Sequence, residues 1–425
     1  MQFKTTAKSL PCFRPSPDFL AAGKPLGSLN NSACTEQLLV HFAEAMESND
    51  ASLAQQILWV LINVAPADGN SSQRLAAAFL RALVLRASRS GSPCAALTSA
   101  MLAHCSDGGG GSISLRLSPV SLAGFIDLTP WYRFGFSAAN AAIVGATGGF
   151  PVVHIVDLST TNSMQIPTLI DALAGRPDGP PFIRLTVPCP SGGSPPPALD
   201  TSIDELGSKL VAFARSRNVE MEFRAVPANP VDGFESLLEH LRLQQGIFSG
   251  PVALVINCQM MLHYIPEEVT GSRPSARTMF LKALRSLDPT VVVVVDEDAD
   301  FTAGDIVGRV RAAFNYLWIP FDAMDSILPR GSDHRRTYEA AFCWKIDNAI
   351  AQEGLKRVER LETRGMWSER MTEVGFRGVG FGVEAAAEVK SLLDGHSAGW
   401  GMKKDGEELV LTWKGNDAVF ASVWV

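Results

Sequence analysis

Asp157 closes a short apolar run, Val152-Val153-His154-Ile155-Val156-Asp157, and is the first residue of this chain placed to do chemistry. At the carboxyl end of the first strand of an open α/β sheet, such a carboxylate can hold a ligand hydroxyl. It can equally do no more than bond the amides of its own turn. His154 is the nearest base, and a single histidine inside a strand is more often a satisfied core residue than a proton carrier. Asp296-Glu297-Asp298 follow Val291–Val295 and offer either a divalent-cation site or a solvated turn. His263-Tyr264 could line a cleft or pack in a core or interface. The seven cysteines include no CxxC pair and the seven histidines form no HxxxH or Cys/His cluster, a pattern that offers no zinc site. The cysteines read as reduced thiols. There is no GxSxG, no phosphate-binding GxxxxGKS/T, and no Ser/His/Asp set with usable spacing.

These groups must be held by the elements around them. From Val152 onward, β-branched runs alternate with helical ones. Strands are predicted at Val152–Asp157, Phe182–Val187, Met221–Val226, Val252–Cys258 and Val291–Val295. Helices are predicted between them at Thr168–Ala174, Ile203–Arg217, Phe234–Leu243 and Thr278–Ser286. That order predicts a mostly parallel sheet with helices on both faces. It would suit a Rossmann-like methyltransferase or dehydrogenase, but such sites need glycine after the first strand, where backbone amides approach the cofactor. The loop Leu158–Met164 has none. They also favour an acid at the end of the second strand, where this chain has Leu185-Thr186-Val187-Pro188.

Around the sheet, 425 residues predict two to three subdomains. Residues 1 to about 32 read as a short flexible lead with no signal-peptide core. Leu38, Leu39, Phe42 and Met46, then Leu53, Ile57, Leu61 and Val64, then Leu75, Phe79, Ala82 and Leu83 repeat at helical spacing and predict a three-helix bundle. Further helices are expected at Ala95–Cys105, Ala138–Ala146, Asp305–Ile327, Tyr338–Ile350 and Glu384–Leu393, with loops at Ser88–Ser92 and Gly108–Gly111. Glu408–Trp413 and Ala418–Trp424 predict an antiparallel hairpin, preceded by Gly399-Trp400-Gly401. No apolar run is long enough to span a bilayer. With 37 Lys and Arg against 44 Asp and Glu the net charge is −7, whereas a dedicated nucleic-acid binder is usually basic. DNA contact would fall to a partner or a local patch. Arg330, His334, Arg335 and Arg336 form one candidate, joined by Lys356, Arg357, Arg360 and Arg364. Lys356 and Arg360 share a face if their segment is helical. The alternative is a solvated face beside Glu353, Glu359 and Glu362.

Read in order, the motifs form a recognisable series. It runs from Leu38-Leu39 and Gln73-Arg74-Leu75-Ala76, through Val153-His154-Ile155-Val156-Asp157 with Gln165 and Pro167, to Asn257-Cys258 and Leu262-His263-Tyr264. Phe321-Asp322, Arg357-Val358-Glu359-Arg360, Trp367, Arg370-Met371, Gly399-Trp400 and Trp413–Trp424 complete it. From about residue 35 to 425 the chain resembles the GRAS-domain proteins, plant transcriptional regulators that include the scarecrow-like members. The resemblance implies a Rossmann-like, methyltransferase-like α/β core under a helical cap. The cap is expected over about 33–150, with a share from later helices, and the core over about 151–425, ending in antiparallel strands of the type called SAW. His154, Asp157, Gln165 and Pro167 are its motif core. It implies a nuclear role, dimerisation with itself or another GRAS protein, work with other transcription factors, and in some members contact with double-stranded DNA. It implies no catalysis, no cofactor and no membrane. A methyltransferase-like small-molecule binder and a scaffold that never touches DNA are the competing readings. The chain departs from the family pattern at Ser163, Ile166 and Val187, where glycine, tryptophan and glycine are usual. A small-molecule pocket is therefore not expected. Without a DELLA-type segment, neither is hormone-gated degradation.

Overall fold

The centre of the molecule is a run of five valines. In the computed structural model, which describes residues 32–89, 115–190, 195–245, 250–267 and 275–425, β7 (Val291–Glu297) is buried along its whole length. Its side chains alternate between the two faces of the sheet. Val291, Val293 and Val295 enter one core, and Val292 and Val294 the other. A continuous apolar run thus does what a doubly covered parallel strand requires.

The other parallel strands are β2 (Val152–Ser159), β3 (Phe182–Cys189), β5 (Met221–Pro227) and β6 (Val252–Gln259), in the order β5-β3-β2-β6-β7. The chain leaves β2 in one direction to build β3 and β5, then crosses back to build β6 and β7. The switch point therefore lies between β2 and β6, with Asp157 level with Asn257. Beyond β7 the sheet turns antiparallel through β11 (Asn416–Trp424), β10 (Glu408–Trp413) and β9 (Trp400–Asp405), with β8 (Gly378–Val379) against β11. The β10–β11 turn is Lys414-Gly415, both at positive φ, the geometry that suits a two-residue hairpin. Arg116–Leu117 (β1) and Ala198–Leu199 (β4), not expected from the sequence, pair parallel in a separate small sheet.

Three helices open the described chain: α1 (Ser32–Glu47), α2 (Ala51–Val64) and α3 (Ser71–Arg89). Asp50 starts α2 by accepting the Leu53 amide at 3.0 Å. Next come α4 (Pro119–Asp127) and α5 (Pro130–Ala146), each with proline in its first turn and capped by Ser118 and Thr129 respectively. Around the sheet lie α6 (Ile166–Ala174), α7 (Ile203–Ser216), α8 (Glu235–Gln245) and α9 (Ala276–Ser286). The late helices α10 (Ile306–Ile327) and α11 (Asp333–Ala351) pack against α3. Arg74 of α3 donates to Asp325 at 2.9 Å and Glu339 at 2.8 Å, and Arg81 reaches Asp347 at 2.6 Å. Ion pairs thus tie the early and late helices into one layer. Finally α12 (Arg364–Glu373) and α13 (Val383–Asp394) flank the antiparallel strands.

Two local expectations need correction. Ser88 does not open a loop, because α3 continues to Arg89. Lys356 and Arg360 do not share a helix face. Lys356 ends a single 3-10 turn, Gly354–Lys356, and Arg360 lies in the non-helical segment beyond it. The helix expected at Ala95–Cys105, the Gly108–Gly111 loop and the lead up to residue 31 lie outside the described residues.

Candidate functional site: a crevice filled by its own side chains

Ligands of open α/β sheets sit at the carboxyl ends of the strands, at the switch point. Here that position is taken by side chains. Asp157 is 2 % exposed. It accepts the Asn257 amide at 2.8 Å, the Ser163 hydroxyl at 2.6 Å and the Ser159 hydroxyl at 3.0 Å. Asn257 also donates to Gln165 at 2.9 Å, Gln165 to Asn140 at 2.9 Å, and Asn140 to Thr168 at 2.9 Å. Gln259 closes the chain by donating to the side-chain oxygen Oδ1 of Asn257 at 3.2 Å. The network thus ties β2 and β6 to α5 and to the start of α6. Burial pushes the Asp157 carboxyl up, against the three hydrogen bonds that pull it down.

The loop after β2 makes its turn without glycine. Asn162 and Ser163 hold φ of 52° and 58°, a left-handed conformation that glycine adopts at least cost. Ser163 uses it to aim its hydroxyl at Asp157. Asp157 therefore bonds side chains rather than its own loop amides, the simpler of the two sequence readings. Pro167 is in the first turn of α6, and Gln165 is the residue before that helix. His154 lies on the opposite face of β2, buried, sharing a 2.9 Å hydrogen bond with Thr186 of β3. Burial first, and then Arg184, lowers its pKa to about 4, so the ring is neutral.

A second polar cluster was not visible as a unit in the sequence. Asp296 and Glu297 are 1 % and 3 % exposed, so the solvated-turn reading of the Asp296-Glu297-Asp298 run is corrected. His263 Nδ1 bonds Asp296 at 2.8 Å, and Tyr264 donates to Glu359 at 2.7 Å. Lys345 from α11 donates to Glu297 at 2.5 Å and to Glu359 at 2.9 Å, while the Trp131 indole donates to Glu297 at 3.1 Å. Asp298 pairs with Arg364 at 3.0 Å. The cluster welds β7, α11 and the segment around Glu359 together. Among the described residues no group of three His, Cys, Asp or Glu side chains is placed to hold a metal ion.

The basic candidates separate. Arg335 is 4 % exposed and engaged by Asp325 and Glu339. Arg360 is 7 % exposed and donates to the carbonyls of Arg357 at 2.9 Å and Gly354 at 2.8 Å. Both are removed from any surface patch by the protein partners they satisfy. Arg330, His334, Arg336 and Lys356 are exposed. Arg336 pairs with Asp333 of its own helix. Lys356 lies past the far end of α11, a helix about 28 Å long at 1.5 Å per residue, so the exposed cations form two separate groups.

A helical cap on a Rossmann-like α/β core, with buried polar side chains bonded to one another at the switch point, defines the class of protein. Comparison with known proteins gives this class its family. The GRAS domain family model matches residues 35–425, and the chain belongs to that family. It is 52% identical over 414 residues to Scarecrow-like protein 32 of Arabidopsis thaliana, covering 96% of this chain and 98% of that protein. It is 31% identical to SHORT-ROOT of the same plant, covering 99% of this chain and 76% of that one. The solved structure of SCL7 from Oryza sativa superposes with a TM-score of 0.73 at 25% identity, over 92% of this chain and 99% of that one.

Proposed function

We propose that this chain is a plant transcription regulator that acts in the nucleus by docking other proteins, and that its α/β core serves as a packed platform and not as a catalyst. The observation that carries this reading is the closed Asp157–Asn257–Gln165–Asn140 network, which fills the crevice where a Rossmann-like enzyme would hold its cofactor. Family membership supplies the regulatory context. Relatives include one named as a transcription factor, the scarecrow-like PAT1 of Arabidopsis thaliana. Fused to a heterologous DNA-binding domain, the chain should change the output of a reporter gene in plant nuclei. An unchanged output, with the fusion present at the promoter, overturns the reading.

Dimerisation would use α2. Its sequence, ASLAQQILWVLINV, holds no charged residue. Ala54, Ile57, Leu58 and Leu61 face the core, while Trp59 and Ile62 are 57% and 46% exposed on the other side. An uncharged helix with an exposed tryptophan suits a second copy of itself or of another family member. Trp59→Glu with Ile62→Glu should weaken self-association by about 3 kcal/mol or more, roughly a hundredfold. Sedimentation velocity across a concentration series reads this, and unchanged association rules α2 out.

Direct DNA contact rests on the exposed group Arg330, His334 and Arg336. Fluorescence anisotropy with duplex DNA should show binding that weakens with salt, and Arg330→Glu/Arg336→Glu should shallow the log–log slope by roughly 2, about 0.9 per phosphate contact. A slope identical to wild type removes this group from the interface.

A further inference from the structure

Parallel sheets covered on both faces carry apolar side chains on both. On the α8 side of this sheet a charged row breaks that rule. His154, Arg184 and Glu222 stand level across β2, β3 and β5, and Thr186 and Arg224 stand level in the next row on the same face. Arg184 is 8 % exposed, and its Nε donates to Glu222 at 2.9 Å. The other Glu222 oxygen accepts from Arg224 Nη2, also at 2.9 Å. One carboxylate thus answers two guanidiniums. His240 of α8 sits in the field of the same two arginines. Its Nε2 is out of solvent and has no hydrogen-bond partner among the described residues. β5 ends the sheet, with β3 as its only strand partner among the described residues, and Arg224 is exposed on it.

We propose that Arg184, Arg224 and His240 form a binding site for a phosphate monoester carried on an extended segment of a partner protein laid along β5. The charges match. Among the described residues, two guanidiniums and a protonated His240, less the Glu222 carboxylate, leave a doubly positive cluster, and a phosphoserine carries about −1.5 to −2. Burial, Arg224 and Arg184 lower the pKa of His240, so an arriving dianion both accepts from the arginines and draws a proton onto the orphaned nitrogen. An extended segment is favoured because an open edge offers a row of backbone groups, and alternate side chains of an added strand fall on the α8 face. DNA is disfavoured because its affinity is gathered from many phosphates, and this is one isolated cluster on a chain of net charge −7. The inference does not depend on the transcriptional reading.

The test is NMR of the full chain with ring-labelled histidine, titrated with four probes. These are a short acetylated Val/Thr peptide bearing one central phosphoserine, its unphosphorylated counterpart, inorganic phosphate, and a short DNA duplex. The phosphopeptide should shift the His240 ring nitrogens to the imidazolium pattern near neutral pH, and bind at least tenfold more tightly than inorganic phosphate. Arg224→Gln, at an exposed position, should weaken it about tenfold or more while the His154 signals stay in place. His240→Gln, read by anisotropy of a labelled phosphopeptide, should do the same. An unmoved His240, equal binding of the unphosphorylated peptide, inorganic phosphate binding as well as the phosphopeptide, or a response to DNA alone would each overturn the proposal.

Discussion

Lys345→Met should lower the unfolding free energy by about 3–5 kcal/mol, the usual cost of removing one partner from a buried charge cluster. The Lys345 ammonium sits between Glu297 and Glu359, whose side chains are 4% and 0% exposed, at 2.5 and 2.9 Å. Methionine fills most of the volume and leaves the two carboxylates facing each other across a dry gap. Replacing Glu297 by Gln in the same chain should recover part of the loss, because it removes one of the stranded charges. The acid side carries a second signature. Without the ammonium both carboxylates take up protons more readily, so the penalty should shrink as pH falls below about 5. The alkaline side belongs to His263. Asp296 and Glu359 hold its proton against the opposing effect of burial and raise its pKa from 6.5 to about 9. Its contribution is therefore complete below about 6.5 and lost as pH rises through about 9. Glu359 is held down from 4.5 to about 2, chiefly by Lys345 and His263 working against desolvation, so its share is present above 4.5 and lost only as pH falls through about 2. Urea denaturation from pH 5 to 9 should show wild-type stability falling above pH 6.5, and His263→Gln should flatten that limb. A Lys345→Met chain within 1 kcal/mol of wild type at pH 7 would mean that water, not protein, surrounds these carboxylates.

How much of this could be read from the sequence depends on how local each signal is. The five parallel strands were legible because β-branched runs between turn residues are a local pattern, and β7 announced itself as five consecutive valines. The place of Asp157 at the end of the first strand was legible for the same reason. Its partners were not. Asn257 is 100 residues away and becomes a neighbour only because β6 returns beside β2 at the switch point. The absence of glycine from the loop is plain in the sequence, but the positive-φ turn at Asn162 and Ser163 is not, since a serine held there by its own hydrogen bond to Asp157 leaves no compositional mark. The basic patch misled because charge is visible in a sequence and burial is not. Arg335 falls on the inner face of α11 opposite Arg74, so two arginines share Asp325 and Glu339. Arg360 turns back onto carbonyls of its own segment. Lys345 carried no signal because its carboxylates come from β7 and from beyond the end of α11.

Trp413→Ala should cost about as much, 3–5 kcal/mol, for a different reason. The residue is fully buried at the end of β10, and its ring centroid lies 4.8 Å from that of Trp400 across the β9–β10 pair. A Cβ on Gly399 would meet its ring at 2.8 Å, so the chain before β9 is shaped around it, at a φ of +139° that suits glycine. The indole also works at long range. Its Nε1 donates to Asp322 of α10 at 2.8 Å, beside the 2.6 Å Lys414–Asp322 pair, which fastens the terminal strands to a helix of the cap. Trp413→Phe should therefore lose less, about 1–2 kcal/mol from the hydrogen bond and the smaller ring, and the rest of the Trp413→Ala loss is packing by the ring that Phe retains. Truncation should be felt across the sheet, because β11, the hairpin partner of β10, lies between it and the central β7. Hydrogen exchange in Trp413→Ala should accelerate at β10 and β11 and then at Val292–Val295 of β7, while amides of β3 and β5 at the far edge keep their order of protection. Acceleration confined to β9 and β10, with an unchanged denaturation midpoint, would show that the terminal hairpin is only attached to the core. Loss that spreads through β11 into β7 would show that the aromatic end of the chain is part of the core.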